Sequence, residues 1–414
     1  MGVQFWQGLQ SGPVLDSFKQ IIHEWNTQQD AEQIAEEDKF HVELKDFTDY
    51  GAPVTEALSN PEDKQPCFVL APEFTTSKMM DALKNNKAIS IGNFLDQKQL
   101  DNVAEIVKRT FGDKDGHLAS FPFGPSCGVI FINKDLLEKA DIDPNYVPET
   151  LEDLERVGKT LIEKGLVEGI YTFAWPPAYS LEIPAAQQDL PIAEPDNGKL
   201  GFGRYQLEQD WIVHRLIDLR DQAKNKVLVY AGRDNNARKP FIEKKVAFFM
   251  QGSTHYSTLQ KEAAFSVGCA PLPMLVRGQQ VKYSFPLGGG SIWVLNTAKT
   301  QKMAKGVRAF LNYLASEDIQ ERWHKETGYV PVLQSLPNKL QDYYKDHPLH
   351  EAVASQTIGA KSGKYSFGIH MPNWDVARKE LFNLIEAVVV SQASNEDIIR
   401  LVKEFDDKFS ISQK

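Results

Sequence analysis

The stretch WHKETGYVPV, residues 323–332, decides how this chain is read, because it follows an amphipathic segment and joins a tryptophan, a glycine, a tyrosine and a proline. Upstream of it, Val307, Phe310, Leu311 and Leu314 fall at i, i+3, i+4 and i+7. That spacing predicts a helix with one apolar stripe on a core and with Lys305, Arg308 and Asn312 in water. The run 323–332 is therefore anchored. Within it, Thr327-Gly328-Tyr329-Val330-Pro331 reads as a helix stop that turns on Gly328 and then runs extended, since Pro331 keeps Val330 out of the helical region. Such a turn should hold Tyr329 at a fixed point near a surface.

The 414 residues are too many for one comfortable core, so two domains are expected. A content of 42% hydrophobic and 25% charged residues is that of an ordinary globular chain. The formal charge of -10 argues against a nucleic-acid partner, which would need a basic stripe to displace counterions from phosphates. No apolar run reaches the roughly 18 to 20 residues needed to cross a bilayer. The start lacks a charged region followed by an apolar one, so it is read as the start of a mature exported chain whose signal has been removed, with a cytoplasmic protein as the alternative. Cys67, Cys127 and Cys269 are scattered and odd in number, so no disulfide framework is expected and at least one thiol stays free.

Strand and helix signals alternate. Strands are expected at 3–6 and 42–44, in the apolar run 67–71 and up to Ile132. Helices are expected over 12–26, through Met79 and Leu83, and over 151–164. This pattern implies an α/β class with mostly parallel sheets. Residues 176–205, rich in Pro, Gln and Asp, read as an irregular surface loop. No period of 20 to 50 residues repeats, which excludes a solenoid.

Motifs for catalysis and metal binding are missing from the sequence. The nine histidines do not fall in HExxH spacing, and there is no G-x-S-x-G elbow. Residues 359–365 look like a phosphate loop, but the glycines stand one residue too close and Tyr365 replaces the magnesium-binding hydroxyl. That segment reads as a solvated loop. No catalytic residue, metal or cofactor is expected.

Two positions are singled out by their residue types. Trp175, in YTFAWPPAY, precedes two prolines that forbid helix, and its flat indole could lie against the apolar face of a polyol or sugar; packing in a core is the competing reading. Glu73 ends the apolar run at a strand carboxyl end, where open α/β sheets put ligands and where a carboxylate can accept hydroxyl hydrogen bonds. A solvated loop glutamate is the competing reading.

The run 323–332 and the upstream GGGSIWVL (288–295) resemble the substrate-binding proteins of bacterial ABC importers. So do Phe5-Trp6, PEFTTSKMM (72–80), FPFGPSCGVIFINKDLL (121–137) and YAGRD (230–234), in the family's order. INKDLLEKADIDP (132–144) is specific for the fold. Leu190-Pro191, Asn197-Gly198 and the 323–331 run point to the glycerol-3-phosphate branch. The resemblance implies a type II periplasmic-binding-protein fold, α/β, with two lobes and a ligand cleft between them. Residues 1–127 and 270–315 would form the N-terminal lobe, and 128–269 and 316–414 the C-terminal lobe. It further implies a monomer, periplasmic or membrane-anchored outside the cell, that hands its ligand to ABC permease membrane subunits.

The positions that match ligand contacts in the relatives are Trp175, Glu73, Tyr329, Ser126, Ser253, Gly289 and, more loosely, Tyr50. A second tryptophan of the relatives is Ala178 here, with Tyr179 beside it. One departure concerns the ligand itself. Relatives that bind glycerol-3-phosphate carry an arginine shortly before a Gly-Asn-Met-Pro-like run; here the run is SFGIHMP (366–372), and the position falls on Phe367. Lys364 or His370 could supply charge instead. The expected ligand is glycerol-3-phosphate, a glycerophosphodiester or a related polyol or sugar. A neutral oligosaccharide, or an enzyme acting on a glycoside or phosphodiester through Glu73, are the alternatives.

Overall fold

Pro13 presets the first turn of a helix, and Leu15, Phe18, Ile21, Ile22 and Trp25 then line one face, so Pro13–Ala31 folds as a helix buried along that stripe. Its Phe18 ring meets Phe5 edge-on, with centroids 5.2 Å apart, and the Trp25 indole donates to the carbonyl of Phe40 at 2.8 Å. The strand Gly2–Gln7 thus acquires a covering helix and a parallel neighbour, His41–Asp46, with Phe5 opposite Leu44. These relations come from a computed structural model that describes residues 2–10, 12–113, 115–298 and 300–410.

The chain divides into two units, Met1–Ser126 with Leu287–Tyr343, and Cys127–Pro286 with Tyr344–Lys414. In the first unit the strands run in the order His41–Asp46, Gly2–Gln7, Phe68–Pro72, Gly288–Leu295 and Ala88–Ile89, with Phe121–Ser126 also paired to Gly288–Leu295. In the second, Val267–Pro271, Gly128–Asn133, Phe248–Gly252 and Tyr171–Phe173 lie side by side.

Both sheets are mixed, where mostly parallel ones were expected. Gly288–Leu295 is antiparallel to its partners, and Gly128–Asn133 is antiparallel to both of its own. Parallel neighbours need a crossover connection, which βα succession inside one unit supplies; a strand that enters from the other unit is under no such constraint.

Unit boundaries also differ from expectation at two of three crossings. The first, after Ser126, is close to the expected position. The second follows Pro286 rather than residue 269, because residues 270–286 stay tied to the second unit. There Met274 donates to Glu149, Leu275 to the Gln187 side chain, and Ser284 to Lys361. The third follows Tyr343 rather than residue 315, because the helix Glu317–Thr327 and the run behind it pack on the first unit. Val330 donates to Pro125, and Ala104 to Val332.

Gly328 caps that helix in the left-handed region at φ 72°, its N–H donating to His324, as the sequence predicts. Tyr329 is not near a surface; it is 5% exposed, its ring stacked on Trp323 at 5.4 Å. Residues 176–205 are not an irregular surface loop either. They hold a wide helical turn at Ala178–Glu182, a short helix at Ile183–Gln187 and a two-strand ladder, with Leu181, Ile183 and Ile192 buried. The three cysteines are free and buried.

Candidate functional site

In the first unit, the carboxyl end of Phe68–Pro72 places Glu73 directly after the last strand residue. Pro72 pairs with Gly290, and Gly290 pairs with Gly124 on the next strand. Neither glycine has a side chain to cover the sheet, and a phenol crosses each bare spot. A Cβ on Gly124 would stand 3.1 Å from the Tyr329 ring, and one on Gly290 would stand 2.9 Å from the Tyr50 hydroxyl. Small residues are thus required for the close approach of both rings.

Tyr50, Glu73 and Tyr329 sense one another's charge. Burial, then the Tyr329 phenol and the Glu73 carboxylate, push Tyr50 well above the usual phenol range; burial and Glu73 push Tyr329 up as well. Both phenols are neutral at any physiological pH, so each can donate and accept a hydrogen bond. Ser126 and Gly289 lie on the same strand pair, with Ser126 opposite Gly288 and Gly289 opposite Pro125. Gly289 has φ 87°, and a Cβ there would stand 2.0 Å from the Gly124 carbonyl. Five of the seven expected site residues therefore gather at one end of this sheet.

The other two belong to the second unit. Tyr171–Phe173 and Phe248–Gly252 are parallel, with Phe173 opposite Met250, so Trp175 and Ser253 emerge from neighbouring carboxyl ends. Trp175 is half-buried and left-handed at φ 51°, a conformation that a bulky L residue rarely adopts. Ser253 is fully buried, and its hydroxyl lies against the Cys127 thiol, which burial pushes up to about 12. Tyr179, beside Ala178, is a core ring, 3% exposed and stacked on Phe173.

Asn197-Gly198 and SFGIHMP, far apart in sequence, are docked on each other. The Asn197 side chain accepts from Ile192 and Ala193 and donates to the Gly368 carbonyl, while the His370 N–H donates to the Asn197 carbonyl. A Cβ on Gly198 would stand 2.7 Å from the Met371 backbone. Phe367 is buried within this pair of loops. Of the two cations suggested by the sequence, Lys364 is ion-paired to Asp196 at 2.9 Å, and burial followed by the charge of Lys199 holds the His370 imidazole down to about 4. A third cation, Lys199, lies in the same pair of loops, its ammonium 5.9 Å from the Phe367 ring centre.

The histidines carry a prediction. His255, like His370, is pushed down to about 4, chiefly by burial, whereas an unfolded histidine titrates near 6.5. The unfolded chain then binds more protons between these values, so the stability they contribute is complete above pH 6.5 and is lost as pH falls toward 4. Thermal melts of the parent should drop over that window, and His370→Gln together with His255→Gln should flatten the drop. An equally steep drop in the double variant would exclude these groups as its source.

Among the described residues, one trio could approach a metal ion: Asp113, Asp115 and His117, with ligand atoms within 4.8 Å of one another. It sits on an exposed turn whose Asp113 carboxylate already accepts the N–H groups of Asp115 and His117.

Comparison with known proteins agrees with this architecture. The sn-glycerol-3-phosphate-binding periplasmic protein of Shigella flexneri is 27% identical over 278 residues, which is 66% of this chain but only 63% of that relative. The cyclic alpha-maltosyl-1,6-maltose binding protein from Arthrobacter globiformis superposes with a TM-score of 0.76 at 17% identity, covering 99% of this chain and 98% of its own. UgpB from Mycobacterium tuberculosis, solved in complex with glycerophosphocholine, gives 0.75 at 15% identity, covering 99% and 97%. These likenesses establish the α/β, two-lobe fold. No helix among the described residues is long and apolar enough to cross a membrane. Residues 29–352 match the family model described as bacterial extracellular solute-binding protein, and the chain belongs to that family.

Proposed function

We propose that this protein captures glycerol-3-phosphate, a glycerophosphodiester or a related polyol or sugar outside the cytoplasm, in the periplasm or on a membrane anchor, and delivers it intact, as a monomer, to the permease subunits of an ABC importer. The observation that carries the reading is the Tyr50, Glu73 and Tyr329 cluster. A carboxylate flanked by two neutral phenols offers acceptors and donors to adjacent hydroxyls, and Gly290 lets the Tyr50 phenol come close to the strand ends beside it. Ser126 adds a further hydroxyl in the same unit; in the second unit, considered by itself, Trp175 offers an apolar face. The named functions of the 27% identical relatives and of the glycerophosphocholine complex support this ligand class.

A neutral oligosaccharide is the second reading. It is favoured by one observation: Phe367, at the position where glycerol-3-phosphate-binding relatives carry arginine, is a buried ring, and Lys364 is engaged by Asp196. A thermal-shift screen separates the two, because only a ligand that prefers the native state raises the melting temperature. Glycerol-3-phosphate and glycerophosphocholine should raise it. A rise with maltotetraose and none with either phosphate ester would assign the neutral ligand. The ligand should be recovered unchanged after incubation; hydrolysis in proportion to protein would replace the binding role with an enzymatic one.

A further inference from the structure

Trp175 keeps its left-handed backbone although the conformation is costly for a residue with a large side chain, so the surrounding structure must hold it there. Two hydrogen bonds do so. The Trp175 N–H donates to the carbonyl of Arg233 at 3.2 Å, and the Trp175 carbonyl accepts from Ala178 at 2.9 Å. The second closes a local turn; the first reaches a different segment, and its usefulness depends on what fixes Arg233. The Arg233 guanidinium grips Glu386 through both carboxylate oxygens, with Nε 2.9 Å from Oε1, and also donates to Asn383 at 2.8 Å. Tyr230 closes the same carboxylate from the side, donating to Oε1 at 2.6 Å. Asn383 and Glu386 stand one turn apart on the helix Trp374–Val389, a rigid element that anchors the clamp.

We propose that Glu386 is a positioning residue for ligand binding: by clamping Arg233 it fixes the carbonyl that holds Trp175 left-handed, so the indole is presented before the ligand arrives. This rests on the reading of Trp175 as the ring that meets the ligand. An ion pair of this exposure adds little to stability by itself. Its value is geometric, since a ring already in its bound orientation spares the ordering cost at the moment of binding.

Calorimetry with glycerophosphocholine, glycerol-3-phosphate and maltotetraose tests it. With whichever probe the parent binds, Glu386→Ala should weaken binding about tenfold, equal to about 1.4 kcal/mol. Glu386→Gln, which keeps an acceptor for Arg233, should recover part of the loss. The discriminating measurement is the double variant: in a Trp175→Ala background, Glu386→Ala should cost nothing further, because the residue it acts through is gone. A full additional loss there, or unchanged affinity in Glu386→Ala alone, overturns the proposal. If the parent binds none of the three probes, the ligand reading itself has failed. The clamp is then judged by acrylamide quenching of the Trp175 emission, taken as parent minus Trp175→Phe. Glu386→Ala must raise that quenching, and unchanged quenching overturns the proposal.

Discussion

Replacing Trp323 with alanine is expected to cost the first unit about 4 kcal/mol, the middle of the range for truncating a fully buried large aromatic. The indole is 2% exposed and does three things at once. It stacks on Phe123 with centroids 4.5 Å apart, it stacks on Tyr329, and its Nε1 donates to the Phe123 carbonyl at 2.8 Å. Alanine empties the space between two rings and leaves a buried carbonyl without its donor. Phenylalanine at the same position keeps most of the stacking and loses only the hydrogen bond, so it should cost less, about 1 to 2 kcal/mol. Urea unfolding of the two variants gives the comparison, read at the transition assigned to the first unit because two units need not unfold together. Since Tyr329 rests on this indole, ligand affinity should fall along with stability. Coincident urea midpoints for parent and Trp323→Ala would mean that the stack is not what holds the 323–332 run.

The same run shows how far the sequence could be read. Its helix stop was legible because the requirement is local: a chain that leaves a helix and must turn needs a residue tolerant of positive φ, and Gly328 provides it. The burial of Tyr329 was not legible, because its ring lies over Gly124, and the Trp323 it stacks on packs on Phe123; both belong to the distant strand Phe121–Ser126. Parallel pairing of Gly2–Gln7 with His41–Asp46 followed from ordinary βα succession; the antiparallel insertion of Gly288–Leu295 did not, since it enters only after a long excursion. The unit boundaries failed for a related reason. Residues 270–286 carry few apolar periodic signals, and their allegiance is set by individual hydrogen bonds to Glu149, Gln187 and Lys361. For the site, the strand-end position of Glu73 was readable from its apolar run. The docking of Asn197 on Gly368 and His370 depends on a side chain capping backbone groups in both loops, which no periodicity reports.

Trp175→Ala is expected to weaken ligand binding by about 2 kcal/mol, roughly thirtyfold in Kd, as for a central aromatic anchor. Its effect on the unliganded protein should be of another kind. The residue is half-buried and sits at φ 51°, so parent and alanine variant both carry backbone strain that glycine would relieve. Trp175→Gly should therefore be more stable than Trp175→Ala by about 1 kcal/mol while binding ligand no better. That order inverts the usual one, in which glycine is the more damaging replacement. The inversion would mark position 175 as one where a costly conformation is kept for what its ring does to a ligand. Calorimetry for affinity and thermal melts without ligand measure the two effects separately. A Trp175→Ala variant that binds like the parent but melts far lower would make Trp175 a packing residue, and the site in the second unit would have to be sought elsewhere along the carboxyl ends of Tyr171–Phe173 and Phe248–Gly252.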